Sequence, residues 1–545
     1  MTLHPTPFWR RLLAVLLAAM TALSTPVLAQ VRLPSLGESA SDDLSVGAER
    51  HIGDQILREG RRDPDFLDDP VLLAYLQSLW NPLLAAARTL GNIEPDIDQS
   101  FAWEIFLMRD RSVNAFALPG GYVGIHLGLI AITTTPDQLA SVIAHELSHV
   151  TQRHIARSIA PTQRASMVAL AAMILGILAA SRSRNADAAN AAIMTGQGAA
   201  AQTQLNFSRD VEREADRLGF GVLGAAGFNP AGMASMFERM DAATRLSDSG
   251  SFPYLRSHPL TVDRISEARN RTLFSGTVPS LPTLQHLMMQ VRSRVMMDDA
   301  TLSLQRFRGE TSSPLLADRV AALYGGALAA SMLNDAARAE KLASEAVLLA
   351  ATATPREPEA ETAAALLLAQ VRLARGSPGA ALAALDSLPA SADGRPAMLL
   401  RARALLDQQR ADPTLPTVAL RTSTEALQTW VAEHPIDAIA WELLSETSNA
   451  LGLRLRAMRA GAEARAVLGD LNGAVDRLRA AQQLSRSATG QDFIEASVID
   501  ARLRQIMAQR RQLVLEARGG HAGPGPNPTG PGDGREEPQS QPPPQ

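Results

Sequence analysis

Residues 135–151 read Thr-Pro-Asp-Gln-Leu-Ala-Ser-Val-Ile-Ala-His-Glu-Leu-Ser-His-Val-Thr. Thr135 is a helix cap, Pro136 suits the first helical position and Gln138 completes a capping box. Leu139, Val142, Ile143, Leu147 and Val150 form an apolar stripe, and the spacing predicts a helix running to about Arg157. Two histidines, His145 and His149, interrupt that stripe. Four residues apart on a helix, they are offset by about 40° and one turn, so both rings reach a single metal ion. Glu146 lies about 100° around from the first ring. It can meet a water at the metal without being forced to ligate. That is what a zinc hydrolase site needs: nitrogen or oxygen ligands, an open position and a general base. The bare pattern also occurs as a buried pair of structural histidines.

The chain contains no cysteine, so disulfides, thiol nucleophiles and thiolate metal sites are excluded. Any third ligand must be His, Asp or Glu from another element. Glu212 and Asp216, in the stretch Glu212-Arg213-Glu214-Ala215-Asp216, share one face of a second helix expected over residues 205–225. Glu212 is assigned to the metal. Asp216 accepts a hydrogen bond from the outer nitrogen of a ligand histidine, His145 in this reading, which fixes the ring and raises its basicity. Glu214 points elsewhere. The competing account is a surface charge cluster, since Arg209, Asp210, Arg213 and Arg217 are close by. His51, His126, His154, His286, His434 and His521 have no partner at ligand spacing. His154, five residues beyond His149, falls on a different part of the helix face.

Working outward, residues 101–107 and 113–118 read as strands, Pro119-Gly120-Gly121 as a turn, and 122–130 as an apolar segment after it. Residues 46–90 carry helical periodicity, with Val71, Leu72, Tyr75, Leu76 and Leu79 on one buried face. The chain is 545 residues long, too much for one ordinary core. Residues 1–29 read as a signal peptide: Arg10 and Arg11, a short apolar run from Leu12 to Leu23, and Val27-Leu28-Ala29 at the cleavage position. The protein is then expected to work outside the cytoplasm. A net charge of −4 offers no electrostatic case for nucleic acid. Residues 30–45 form a leader. The apolar run 167–180 reads as a buried helix or an active-site cover, or as a segment in peripheral contact with a membrane surface; it is short for a span.

From about 310 to 515 the sequence is alanine-rich and helical, with turn signals at short intervals. Small residues such as Ala339, Ala346, Ala474 and Ala481 fall where paired helices pack closely, and Gly469-Asp470 makes a turn between two helices. Tetratricopeptide-like (TPR-like) repeats are one reading and a generic helical bundle the other. Residues 519–545 form a Gly-, Pro- and Gln-rich tail, expected to be disordered.

Together, the motif at 145–149, Glu212–Asp216, the segment Asn114 to Val123 before the motif, and Ser257-His258-Pro259 followed by Arg264 resemble the M48 zinc peptidases over about residues 45–275. The resemblance implies an α+β architecture. A mostly helical zincin-type metallopeptidase domain with a small β-sheet (46–300) is followed by an α-helical TPR-like repeat domain (310–515). It implies one zinc ion per chain. It also implies that Asn114, Ala115, Phe116 and Ala117 form an edge strand that pairs with extended substrate, and that His258 is a regulatory fourth ligand. Arg264 then stabilises the oxyanion or a substrate carbonyl, or serves as a structural ion pair. The expected substrates are unfolded or misassembled envelope proteins, with the repeats recruiting clients or docking on outer-membrane assembly machinery. A chaperone or scaffold role with rare, gated proteolysis stays open beside it.

Overall fold

The computed structural model describes residues 44–158, 209–246, 252–275, 281–389, 392, 394–486 and 492–519. The expected signal peptide, nearly all of the leader, the apolar run 167–180 and nearly all of the C-terminal tail lie outside these residues.

The expected helical stretch 46–90 is two helices, α1 (Val46–Gly60) and α2 (Pro70–Thr89), separated by the two-residue strand β1 (Phe66–Leu67). Asp69 caps α2 by accepting from the Leu72 amide at 2.8 Å, and the predicted face of Val71, Leu72, Tyr75, Leu76 and Leu79 is buried. A short helix α3 (Pro95–Ser100) leads into β2 (Glu104–Met108), β3 (Ala115–Leu118) and β4 (Tyr122–His126). The first long strand starts three residues later than the sequence suggests. Trp103 takes a left-handed backbone, φ 51°, so regular strand geometry begins only at Glu104, although the Ala102 amide donates to the Gly120 carbonyl at 2.8 Å.

The sheet order is β1-β2-β4-β3. β2 and β4 run parallel; β3 and β4 form a hairpin with Ala115 opposite Ile125 and Leu118 opposite Tyr122. Gly120 and Gly121 turn it with φ of 79° and 94°. Alternation sorts the strands between two cores. Ile105, Leu107, Ala115, Val123 and Ile125 face the main core, whereas Phe106, Met108, Leu118 and Tyr122 pack with Ile52 and Ile56 of α1.

After α4 (Leu127–Ile132) comes the motif helix α5 (Pro136–Thr151). The Thr135 hydroxyl accepts from the Gln138 amide at 3.3 Å. The return bond of the capping box is shifted by one residue: the Gln138 carbonyl oxygen accepts from the Thr134 amide at 2.8 Å. The helix also stops earlier than expected. Arg153 adopts φ 51°, its guanidinium held by Glu49 at 2.8 Å, and a separate short helix α6 (His154–Ser158) begins.

Two helices cross α5. They are α7, described over Arg209–Ala225, and α8 (Ala231–Leu246). Both crossings need a glycine. A Cβ on Gly219 would lie 3.2 Å from the Ala144 carbonyl and the His145 amide, and one on Gly232 would lie 2.5 Å from the Asp137 carbonyl oxygen. Short α9 (Tyr254–Ser257) and α10 (Val262–Ser275) complete this half.

Next come α11 (Leu284–Met297), α12 (Ala300–Glu310), α13 (Leu316–Met332), α14 (Ala336–Ala350), α15 (Pro358–Ala374) and α16 (Pro378–Asp386). They are followed by α17 (Arg395–Ala411), α18 (Val418–Glu433), α19 (Ala438–Ala450), α20 (Arg454–Val467), α21 (Leu471–Ser485) and α22 (Asp492–Gly519). Successive helices pack on one another through short connections, the α+β and then helical order that the sequence implies. Ala339 and Ala346 on α14, and Ala474 and Ala481 on α21, are wholly buried. Gly469 turns with φ 80°, and Asp470 caps α21 by accepting from the Gly473 amide at 2.8 Å. The array is tied back to the sheet half. Arg292 on α11 donates to Asp69 at 2.6 Å, and Arg395 on α17 donates to Asp68 at 2.8 Å and to Asp437 at 2.6 Å. No helix among the described residues is long and apolar enough to cross a membrane.

Gly219 and Gly221 sit on one helix in opposite surroundings, since nothing lies within 4 Å of a Cβ on Gly221. Gly221→Ala should therefore stabilise the protein by up to about 1 kcal/mol through helix propensity. Gly219→Val should cost about 1–3 kcal/mol by overpacking. Urea denaturation of both variants checks the contrast; equal effects would contradict the crossing described.

Candidate metal centre

The α5–α7 crossing brings Glu212 and Asp216 onto the two motif histidines, and the residue after α9 brings in His258. His145 Nε2 lies 3.0 Å from His149 Nε2 and 3.5 Å from a Glu212 carboxylate oxygen. His149 Nε2 is 3.5 Å from the other Glu212 oxygen. His258 Nδ1 stands 2.9 Å from Glu212 and 3.4 Å from His145 Nε2. One atom from each of the four side chains falls within 4.8 Å of the others, and all four residues are buried.

These spacings fit a ligand shell. Nitrogen or oxygen ligands about 2.0–2.1 Å from a tetrahedral ion lie about 3.3 Å from one another. A second observation agrees with the donor spacing. Glu146, wholly buried, has no protein hydrogen-bond partner at either carboxylate oxygen, which is costly unless the group meets water or a ligand. Three nitrogens and a carboxylate are the donor set of a borderline cation such as zinc.

Electrostatics organise the rest. Asp216 lies 3.0 Å from His145 Nδ1, the outer nitrogen. Arg264 grips Asp216 through both of its oxygens, at 2.7 and 2.8 Å. It also reaches Glu212 at 2.8 Å and donates to the Pro259 carbonyl at 3.0 Å. Burial would depress the His145 imidazole, but Asp216 and Glu212 outweigh it and lift it to about 10. Burial, with His145 and His258 alongside, pushes His149 well below its ordinary value. Burial raises the Glu212 carboxyl, and His258 and His145 more than reverse this, holding it below the usual carboxylate range. Asp216 is likewise held low, its burial outweighed by Arg264 and His145.

The buried Tyr254 ring stacks on His258 with centroids 4.7 Å apart. The Tyr254 amide donates to the Val113 carbonyl, one residue before Asn114. Asn114 and Ala115 are buried, Phe116 and Ala117 half-buried; β3 lies at the edge of the sheet and packs against α5.

The structure also brings in a residue that the sequence reading left without a partner. Because the chain reverses at Arg153, His154 returns to the motif. Its Nδ1 lies 2.9 Å from His149 Nδ1, and its Nε2 lies 3.2 Å from Glu214. Burial pushes the His154 imidazole down to about 4. The i, i+5 spacing gave no sign of this, since it assumes an unbroken helix. Glu214 does point away from the donor cluster, toward His154 and Arg157.

A buried His-Glu-x-x-His helix, crossed by a second helix supplying a carboxylate, defines a metalloendopeptidase. The chain belongs to peptidase family M48, whose family model matches residues 84–272. Over nearly its whole length it is similar to beta-barrel assembly-enhancing proteases. It is 30% identical over 505 residues to a putative one from Vibrio cholerae, covering 92% of this chain and 98% of the relative. With the beta-barrel assembly-enhancing protease of Escherichia coli it shares 30% identity over 503 residues, 91% and 96% of the two chains. The mitochondrial metalloendopeptidase OMA1 of Schizosaccharomyces pombe is 34% identical over 163 residues, 30% of this chain and 44% of the relative.

Asp216→Ala would leave Arg264, only 4% exposed, without its bidentate partner. Breaking a buried pair from one side costs about 3–5 kcal/mol. Urea unfolding of the metal-free variant should show that loss; a change below about 1 kcal/mol would contradict the pairing.

Proposed function

We propose that the chain is a zinc-dependent endopeptidase of the bacterial cell envelope that degrades misfolded or stalled outer-membrane proteins. The observation that carries the chemistry is the four-donor cluster beside the unpartnered Glu146 carboxylate. Similarity to beta-barrel assembly-enhancing proteases along both the peptidase half and the helical array supports the cellular role. The signal-peptide reading of residues 1–29 supports a periplasmic location.

His145, His149 and Glu212 would hold the zinc. A zinc ion there would polarise the scissile carbonyl and lower the pKa of water toward neutrality. Glu146 accepts the proton of the attacking water and passes it to the departing amine nitrogen. Asp216 fixes the His145 ring, and Arg264 holds Asp216 and Glu212 in place, a positioning role that occupies its guanidinium. Substrate adds as an extended strand along Asn114, Ala115, Phe116 and Ala117, pairing through backbone groups and so tolerating varied sequence. The helical array selects clients or docks on assembly machinery. Glu146→Gln should lower digestion of casein or of a denatured outer-membrane protein by at least about 100-fold while zinc content stays at one per chain. Retained digestion would overturn the assignment.

One observation favours a gated, chaperone-like emphasis. His258 presents Nδ1 to the donor cluster and places Nε2 3.7 Å from Glu146. In this reading, which the resemblance to the M48 peptidases suggested, His258 is a fourth ligand that would keep the resting site shut. His258→Ala should raise casein turnover several-fold with zinc retained; unchanged or lower turnover with zinc bound would remove the latch.

A further inference from the structure

The two motif histidines are backed on their outer sides in different ways. His145 meets Asp216, which is locked by Arg264. His149 meets His154, which is locked by Glu214, itself 3.3 Å from Arg157. Glu214 and Asp216 come from the same turn of α7, two and four residues after Glu212.

We propose that His154 is the positioning residue of His149, with Glu214 as its anchor. The inference rests on the reading above that His149 ligates the metal through Nε2. Tautomer logic then fixes every proton. With its Nε2 lone pair turned to the donor cluster, a neutral His149 carries its hydrogen on Nδ1 and donates it across 2.9 Å to His154 Nδ1. His154 must accept there, so its own hydrogen sits on Nε2 and is donated to the Glu214 carboxylate at 3.2 Å. Each donor meets an acceptor, and no group is asked to do both at one atom.

The local fold supports the same assignment. An unbroken helix would carry residue 154 away from residue 149. The left-handed Arg153, a conformation uncommon for a residue with a Cβ, turns the chain back, and its side chain is anchored by buried Glu49 at 2.8 Å and by the Leu44 carbonyl. The His149 and His154 rings pack edge to face, centroids 4.8 Å apart, and His154 is 2% exposed. A histidine used only to fill space would not need both ring nitrogens aligned on polar partners.

The test is zinc affinity of the purified full-length chain, measured by competition with a chromophoric chelator, together with the visible absorption spectrum of the cobalt-substituted protein. His154→Ala should weaken zinc binding about 10- to 100-fold, the usual effect of removing an outer-shell partner, and should shift the cobalt bands. His154→Asn keeps an acceptor where Nδ1 stood and should stay within about threefold of wild type. Glu214→Ala should weaken binding in the wild-type background and add nothing to His154→Asn, whose amide no longer depends on Glu214. Wild-type affinity and spectrum in His154→Ala would overturn the proposal. So would equal loss in His154→Ala and His154→Asn with matching falls in metal-free thermal stability, which would mark a packing role. The underlying ligand reading fails separately, if wild type binds no zinc or if His149→Ala binds it normally.

Discussion

The close contact between Gly219 and the Ala144–His145 backbone is the constraint on which the centre depends. Two helices that touch at side-chain separation would leave Glu212 too far from the histidines to share an ion, and Asp216 too far to reach the outer nitrogen of His145. At Gly219 the side chain is missing, so the helix axes draw together and the carboxylates arrive within 3.0–3.5 Å of the rings. Gly232 does the same at the N-terminal end of α5. The motif helix is therefore clamped at its middle and at its N-terminal end by glycine crossings. Its polar face is held against a buried surface that propensity alone would never select.

Burial makes that face expensive, and charge pairing offsets the cost. Glu146, Glu212, Asp216 and Arg264 are all nearly inaccessible to solvent. Arg264 neutralises one carboxylate and touches a second, leaving net negative charge around the imidazoles. That excess suits a divalent cation, and the donor spacing matches one. The guanidinium of Arg264 is engaged by two carboxylates and a backbone carbonyl.

Much of this was legible in the sequence because it depends on short-range periodicity. The i, i+4 spacing of His145 with His149, and of Glu212 with Asp216, puts each pair on one helical face wherever the helices go. The edge position of β3 was implied by the resemblance to the M48 peptidases, and the turn at Gly120 and Gly121 gave its pairing with β4. What escaped was set by backbone conformation that residue types do not announce. Trp103 and Arg153 adopt left-handed conformations usually reserved for glycine or asparagine, so the start of β2 and the end of α5 were both misplaced. The second error hid His154, whose contact exists only because the helix breaks. The Thr134–Gln138 bond is a milder case, in which the side chain chose the amide one residue upstream.

The guanidinium of Arg395 joins Asp68, just ahead of α2, to Asp437, the cap of α19, and Arg62 donates to the Gly469 carbonyl farther along the array at 2.6 Å. Such cross-links leave little slack for a hinge. In the function proposed above, a polypeptide held by the helical array would be presented at a fixed distance from the metal centre. Under that proposal, whether a given bond could be cut would depend on how much loose chain lies between the point of attachment and the metal centre, much as a ruler sets where a rope can be severed.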